Sequence, residues 1–192
     1  VVGFVDKIND YTFKTNKNAE KNLVIIHLSN SWLQNSRLEK LQNNNWDGAI
    51  FAKAGLKRIN VLPENHIELD WMLPAPAQGA MVIVSLETDK YCTEAVSKLN
   101  HEPSRICTQI ERDFLRKLEG GCTAPIGALA QIVGERIEFK GCLFSIDGTE
   151  KIEIAKTISL DNYKKGGIEA AVELLANGGE ALMMRIKKEM NI

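Results

Sequence analysis

The sequence has little net charge, few cysteines and no long apolar run. Its formal net charge is −1 over 192 residues, so it lacks the overall positive field that most nucleic-acid-binding proteins have. No stretch approaches the ~20 consecutive apolar residues that span a bilayer. Residues 1–6 have neither the basic start nor the small-residue cleavage site of a signal peptide. We therefore expect a cytoplasmic protein that binds neither nucleic acid nor membrane.

The cysteines and histidines are too scattered to predict a metal site. The four cysteines are Cys92, Cys107, Cys122 and Cys142, without a C-x-x-C pair. The three histidines are His27, His66 and His101, in dissimilar contexts. We predict no metal site and no disulfide framework, with surface or capping roles for the histidines. All the cysteines except Cys122 are interpreted as packing residues.

The pattern of residues 1–62 alternates between strand and helix. Short apolar runs at 1–5, 23–28 and 49–52 predict three strands, and residues 32–41 predict a helix between the last two. Strands that alternate with helices are typical of a parallel sheet. We therefore predict a fragment of a parallel α/β layer.

Residues 63–94 predict a connector that leads into a strand. Two prolines within 73–79 exclude a helix there, and residues 81–86 form a continuous apolar run. Such a run is typical of a strand buried on both faces. Because it follows a long connection, we assign it to the central sheet of a neighbouring domain.

Residues 95–192 predict a small α+β domain. Apolar residues recur every fourth position from Ile106 to Leu118, which indicates an amphipathic helix that ends at Gly120 and Gly121. Either Pro103 in the first turn or a Thr108-x-x-Glu111 capping box fits its start. The segments that follow are predicted strands at 128–133, 136–146 and 151–160 and predicted helices at 168–175 and 180–189. Asp147-Gly148 is a strong hairpin signal, so an antiparallel three-stranded sheet packed with helices is expected.

Cys122 stands between a Gly-Gly pair and Pro125, which predicts a loop tip. A thiol beyond a helix C-terminus meets the negative end of the helix dipole, which disfavours the thiolate. This is a poor position for a fast-cycling nucleophile, but it suits a bond made once and kept, such as a thioether. The alternative, a buried small apolar residue, stays open.

The segment 111–130 contains L-E-G-G-C-T-A-P-I-G, which resembles the cofactor-attachment signature of the porphobilinogen deaminases, also called hydroxymethylbilane synthases. Segments 47–58 and 73–80 resemble two further parts of that family, in the same order and at matching spacing. The resemblance is convincing over residues 46–192 and loose over residues 1–45.

The resemblance implies an enzyme that condenses four porphobilinogen molecules into hydroxymethylbilane and releases ammonia at each step. The pyrrole product grows on a dipyrromethane primer that a cysteine of the enzyme holds as a thioether. Cys122 matches that cysteine. The family has two periplasmic-binding-protein-like domains and a third domain that bears the primer. Residues 1–62 would then be part of the second domain, 63–94 a connector and strand of a mostly absent first domain, and 95–192 the third.

The primer's carboxylates require cationic or polar partners, because unpaired buried charge is very costly. Arg58 matches the family's carboxylate-binding arginine, and Arg37 matches the second arginine of a binding loop. Gln78 matches a polar residue that lines the cleft, and Gly79 follows it in the same segment. A solvated helix face is the alternative for both arginines.

The sequence departs from the family in its basic loops and its catalytic residue. Residues 4–9 replace a segment with two arginines, and residues 29–36 lack the first arginine of the binding loop. The family's catalytic aspartate lies in the first domain and has no counterpart here. We therefore predict no catalytic residue in this chain and no turnover by it alone, with a first domain supplied upstream or in trans. A non-catalytic pyrrole-binding paralogue or a fragment is the alternative.

Overall fold

The computed structural model describes residues 2–4, 25–27, 39, 43, 48–119 and 124–190. The chain divides into two compact units, Val1–Met72 and Leu73–Ile192. Each unit has its own β-sheet. The three-part division predicted from the sequence stays a prediction.

The sheet of the first unit has the strand order β2-β3-β1-β4. Its strands are β1 (Val2–Phe4), β2 (Ile25–His27), β3 (Gly48–Phe51) and β4 (Ile67–Glu68). β2 and β3 are parallel, whereas β1 is antiparallel to both β3 and β4. The predicted parallel pairing is confirmed for β2 and β3 and is wrong for β1, so the sheet is mixed. An apolar run indicates that a strand is buried but not in which direction it pairs.

Helix α1 (Lys53–Arg58) follows β3 and packs its one buried residue, Leu56, against Ala49 and Phe51. The three predicted strands of this unit are confirmed, the first two at shorter lengths and the third shifted by one residue. The predicted helix at 32–41 lies mostly outside the described residues, although positions 39 and 43 are helical.

The sheet of the second unit is antiparallel, with the order β5-β6-β7. Its strands are β5 (Ile126–Val133), β6 (Arg136–Phe144) and β7 (Lys151–Ser159). Gly134 and Gly148 lie in the two connecting turns at φ of 60° and 71°, in the left-handed region that glycine adopts without strain. The predicted three-stranded sheet and both of its turns are confirmed.

The helices that share a core with this sheet are α3 (Glu102–Lys117), α4 (Tyr163–Leu174) and α5 (Glu180–Met190). Helix α3 has Pro103 in its first turn, so the capping box at Thr108 is not its start. Gly178, at φ of 103°, lies between α4 and α5, where a helix stop was predicted. The shared core includes Ile110, Phe114, Phe139, Leu143, Ile158, Leu174, Leu182 and Ile186.

Residues 81–86 do not form the predicted buried strand. They have no regular structure, and their apolar side chains are between 58% and 87% exposed. Helix α2 (Lys90–Ser97), which follows, also buries no residue. A strand needs a neighbour that accepts and donates backbone hydrogen bonds, and no described strand of this chain pairs with residues 81–86.

Within the described residues, every helix is too short or too polar to cross a bilayer.

Candidate functional site

Cys122 lies outside the described residues. We call the segment 120–123 the Cys122 loop after its predicted form, and the structure gives the residues on either side of it. Helix α3 ends at Lys117, and Glu119 takes the left-handed conformation at φ of 54°. The helix therefore ends before the predicted glycine pair, which lies outside the described residues. The Glu119 carboxylate forms an ion pair with Lys187 of α5, which ties the start of the loop to the last helix.

The other end of the loop is fixed to the sheet. The Pro125 carbonyl accepts a hydrogen bond of 3.0 Å from the N–H of Phe144, the last residue of β6. The N–H of Ile126 donates to the Ala124 carbonyl at 2.8 Å. Both ends of the Cys122 loop are thus anchored to elements of the second unit.

The connector packs directly on the strand that follows this loop. The N–H of Ala128 in β5 donates to the Pro74 carbonyl at 2.9 Å. A Cβ on Gly127 would lie 3.0 Å from the Cβ of Leu73, so only glycine allows this approach. The segment 73–80 therefore lies along the first half of β5.

Glu111 of α3 joins this segment to the strand. Its side chain is buried, with the residue 6% exposed. One carboxylate oxygen accepts from the N–H of Ala77 at 2.6 Å, and the other accepts from the N–H of Ala130 at 2.8 Å. Burial raises the pKa of Glu111, and the two N–H donors oppose that rise. Sequence patterns missed this role because both partners are distant in the chain.

Gln78 and Gly79 lie in a tight turn just after the residue that Glu111 holds. The N–H of Gln78 donates to the Ala75 carbonyl at 3.0 Å, and that of Ala80 to the Ala77 carbonyl at 3.2 Å. Gln78 and Gly79 are both exposed. Gly79 has φ of 82°, and no atom lies within 4 Å of the position of a Cβ on it. The turn therefore presents an amide side chain beside open space.

Arg58 belongs to the first unit, where it is the last residue of α1. Asn60 follows at φ of 53°, the N–H of Val61 donates to the Leu56 carbonyl, and the N–H of Asn60 donates to the Lys57 carbonyl. This pair of bonds is a Schellman motif, which fixes where the helix ends. Arg58 is exposed. Arg37 lies outside the described residues.

The three described cysteines are not activated thiols. Burial raises the pKa of Cys142 in β6. Burial and the nearby charge of Glu111 raise the pKa of Cys107, and a hydrogen bond with Asp89 raises that of Cys92. Because the thiolate is the reactive form, each is a weaker nucleophile than an ordinary cysteine.

The two described histidines whose contacts are resolved, His66 and His101, lie close to oxygen atoms of neighbouring residues. A ring nitrogen of His66 lies 2.7 Å from the Pro63 carbonyl, and one of His101 lies 2.9 Å from the Ser104 hydroxyl at the start of α3. Trp71 is 60% exposed. Where the chain is described, no three His, Cys, Asp or Glu residues are grouped as metal ligands.

Two of the predicted site residues carry donors for carboxylates, one in each unit. A guanidinium at Arg58 and an amide at Gln78 are donors that such groups bind, and both side chains are exposed. The open space beside Gly79 leaves room for a ligand close to the backbone. A pyrrole primer with acetate and propionate groups has this chemistry.

Two family models match the chain. Residues 105–176 match the porphobilinogen deaminase C-terminal domain. Residues 32–94 match the porphobilinogen deaminase dipyrromethane cofactor binding domain. The matched ranges include α1 with Arg58, the turn with Gln78 and Gly79, and the loop with Cys122.

Curated relatives give the same family. A porphobilinogen deaminase of Campylobacter hominis is 39% identical over 159 residues, which cover 80% of this chain and 51% of the relative. One of Campylobacter jejuni is 37% identical over 155 residues, 79% of this chain and 50% of the relative. One of Listeria welshimeri is 36% identical over 159 residues, which cover 80% of this chain and 51% of the relative. The chain therefore spans about half the length of the curated relatives it matches.

Proposed function

Because this chain belongs to the porphobilinogen deaminase family, we propose that it is the primer-carrying part of a hydroxymethylbilane synthase. The complete enzyme would join four porphobilinogen units head to tail, with one ammonia released for each carbon–carbon bond formed. One observation carries the proposal: the segment with Gln78 and Gly79 is hydrogen-bonded to β5, the strand that follows the Cys122 loop.

Each site residue has a role that its chemistry supports. Cys122 would hold the dipyrromethane primer by a thioether, which water and cellular thiols do not readily cleave. Arg58 and Arg37 would bind the carboxylates of the pyrroles, since a guanidinium makes two parallel hydrogen bonds to a carboxylate. Gln78 would donate to a carboxylate of the primer, and Gly79 would leave space for a ring beside the backbone.

The chain alone would not catalyse the condensation. The developing positive charge on a pyrrole nitrogen needs an anion beside it, and the family's aspartate has no counterpart in these 192 residues. The exposed apolar residues 81–86 support a role as a strand of the first domain's sheet. That domain would be supplied upstream or as a separate chain.

Whole-protein mass spectrometry tests the primer. Protein produced together with a first domain, with porphobilinogen present, should carry an added mass of two pyrrole units. Cys122→Ser should lack the added mass, and Cys92→Ser, a control at a half-exposed thiol, should retain it. Unmodified wild-type protein would contradict the proposal.

A complementation assay tests the catalytic part of the proposal. Purified chain mixed with porphobilinogen should give no bilane above background, and a separately produced first domain should restore bilane formation. Bilane production by the chain alone would refute the requirement for a first domain.

The altered basic loops favour a second candidate, a non-catalytic pyrrole-binding paralogue. Residues 4–9 and 29–36 lack arginines that the family uses to hold carboxylates. Primer on Cys122 without any complementation by a first domain would support this candidate over the enzyme.

A further inference from the structure

We infer that Glu111 is a positioning residue that sets the place of the Gln78–Gly79 turn relative to α3 and β5. Its carboxylate forms what we call the Glu111 clamp, with the N–H groups of Ala77 and Ala130. The inference rests on the proposed function, because it assigns the clamp a part in holding the primer.

The clamp joins a helix, a strand and the connector. Glu111 lies on α3, which leads into the Cys122 loop. Ala130 lies on β5, which leaves that loop, and Ala77 immediately precedes Gln78 in the connector. One carboxylate thus contacts the helix, strand and connector segments around the loop.

The clamp also completes the outer edge of β5. The strand pairs with β6 on one side only, so its outward N–H groups need acceptors elsewhere. Ala128 and Ala130 are two residues apart and share that edge. The Pro74 carbonyl accepts from Ala128, and Glu111 accepts from Ala130. The connector and the Glu111 side chain together take the place of a fourth strand.

A carboxyl group fits this arrangement and an amide does not, because even a protonated carboxyl keeps acceptor capacity on its oxygens. Two N–H donors face the two oxygens, and an ionised carboxylate accepts at both. A glutamine of the same length has one acceptor and one NH₂ group, so one backbone N–H would face another donor. A buried carboxylate is costly, and these two bonds compensate part of that cost.

The backbone conformation of Ala77 explains why the Glu111 clamp fixes the position of the turn that presents Gln78. Ala77 has φ of 57°, in the left-handed region that residues other than glycine rarely adopt. The 2.6 Å bond from its N–H to Glu111 holds this residue in place. Without the bond, Ala77 can relax toward extended backbone, and the turn that presents Gln78 shifts with it.

Amide hydrogen exchange tests the contact. In Glu111→Gln, the amides of Ala77 and Ala130 should exchange at least tenfold faster, whereas that of Phe139 in the sheet centre should keep its wild-type rate. Glu138→Gln is the matched control, since Glu138 is exposed on β6. Unchanged protection of Ala77 in Glu111→Gln would overturn the clamp.

Primer loading tests the positioning role. Glu111→Gln should reduce the fraction of Cys122 that carries two pyrrole units at least threefold, measured by intact mass. Ile137→Val removes a core methyl group without touching the clamp and should load as wild type does. Equal loading of wild type and Glu111→Gln would overturn the positioning role alone. Wild-type protein without added mass would overturn the proposed function as well.

Discussion

The carbonyl oxygen of Ile110 lies 2.2 Å from the position that a Cβ on Gly167 would occupy. Helices α3 and α4 therefore meet at backbone distance. Gly166 is equally restricted, since a Cβ there would lie 2.6 Å from the Ile158 side chain of β7. The two adjacent glycines let α4 pack on α3 and on the sheet at once.

Gly167→Ala should destabilise the second unit, although alanine is a better helix former than glycine by about 1 kcal/mol. The added methyl group meets the Ile110 carbonyl, and overpacking of this kind costs about 1 to 3 kcal/mol. Urea unfolding measures the change. Lys165→Ala, at an exposed position of α4, is the control and should have little effect. A gain in stability for Gly167→Ala would contradict the observed packing.

The stability contributed by Glu111 should fall as pH rises. Burial raises its pKa above the ordinary value of 4.5, so just above pH 4.5 the native state retains a proton that the unfolded chain has lost. The free energy of unfolding then decreases with pH through that window. The excess stability of wild type over Glu111→Gln should be largest below pH 4.5 and should decline until the raised pKa is passed. Urea unfolding at a series of pH values measures it.

A control separates this titration from general acid effects. Ile137→Val introduces and removes no titratable group, so its difference from wild type should stay constant over the same pH series. A wild-type advantage over Glu111→Gln that grows with pH would show that the pKa of Glu111 is lowered instead.

Cys142 should not react with a thiol reagent in the native protein. Its side chain is buried in β6, and burial raises the pKa of its thiol, so both access and thiolate content are low. Labelling with iodoacetamide at pH 8, followed by peptide mass analysis, should modify Cys142 only after unfolding in urea. Native labelling of Cys142 as fast as that of Cys92 would contradict its position in the core.

Residues 81–86 should contribute to association and little to stability. The double variant Val82→Asp, Val84→Asp places charge where the side chains are already exposed to solvent, so the urea midpoint should not change. Binding to a separately produced first domain, measured by calorimetry, should weaken at least tenfold. Val172→Asp, at an exposed apolar position of α4, is the control and should bind as wild type does.

The second unit was largely predictable because its signals are local. The four-residue spacing from Ile106 to Leu118 gave α3, and turn glycines at 134 and 148 separated the strands. We predicted that α3 ends at Gly120 and Gly121, but its last residue is Lys117. Glu119 takes the left-handed conformation that glycine usually takes.

The non-local features could not be predicted in the same way. The partners of Glu111 lie 34 and 19 residues away in the chain, and periodicity carries no information about such contacts. For residues 81–86, the composition indicates a buried strand, but burial depends on a neighbouring strand that this chain does not provide among its described residues. Arg37 and Cys122 stay predictions from the resemblance.

The closed outer edge of β5 also limits how copies of this unit can assemble. A second chain that added a strand there would have to displace the Pro74 carbonyl and the Glu111 carboxylate from their N–H partners. At the opposite edge, β7 carries the charged residues Lys151 and Glu153, which discourage pairing between edges. Fibril-like stacking through this sheet is therefore opposed on both sides.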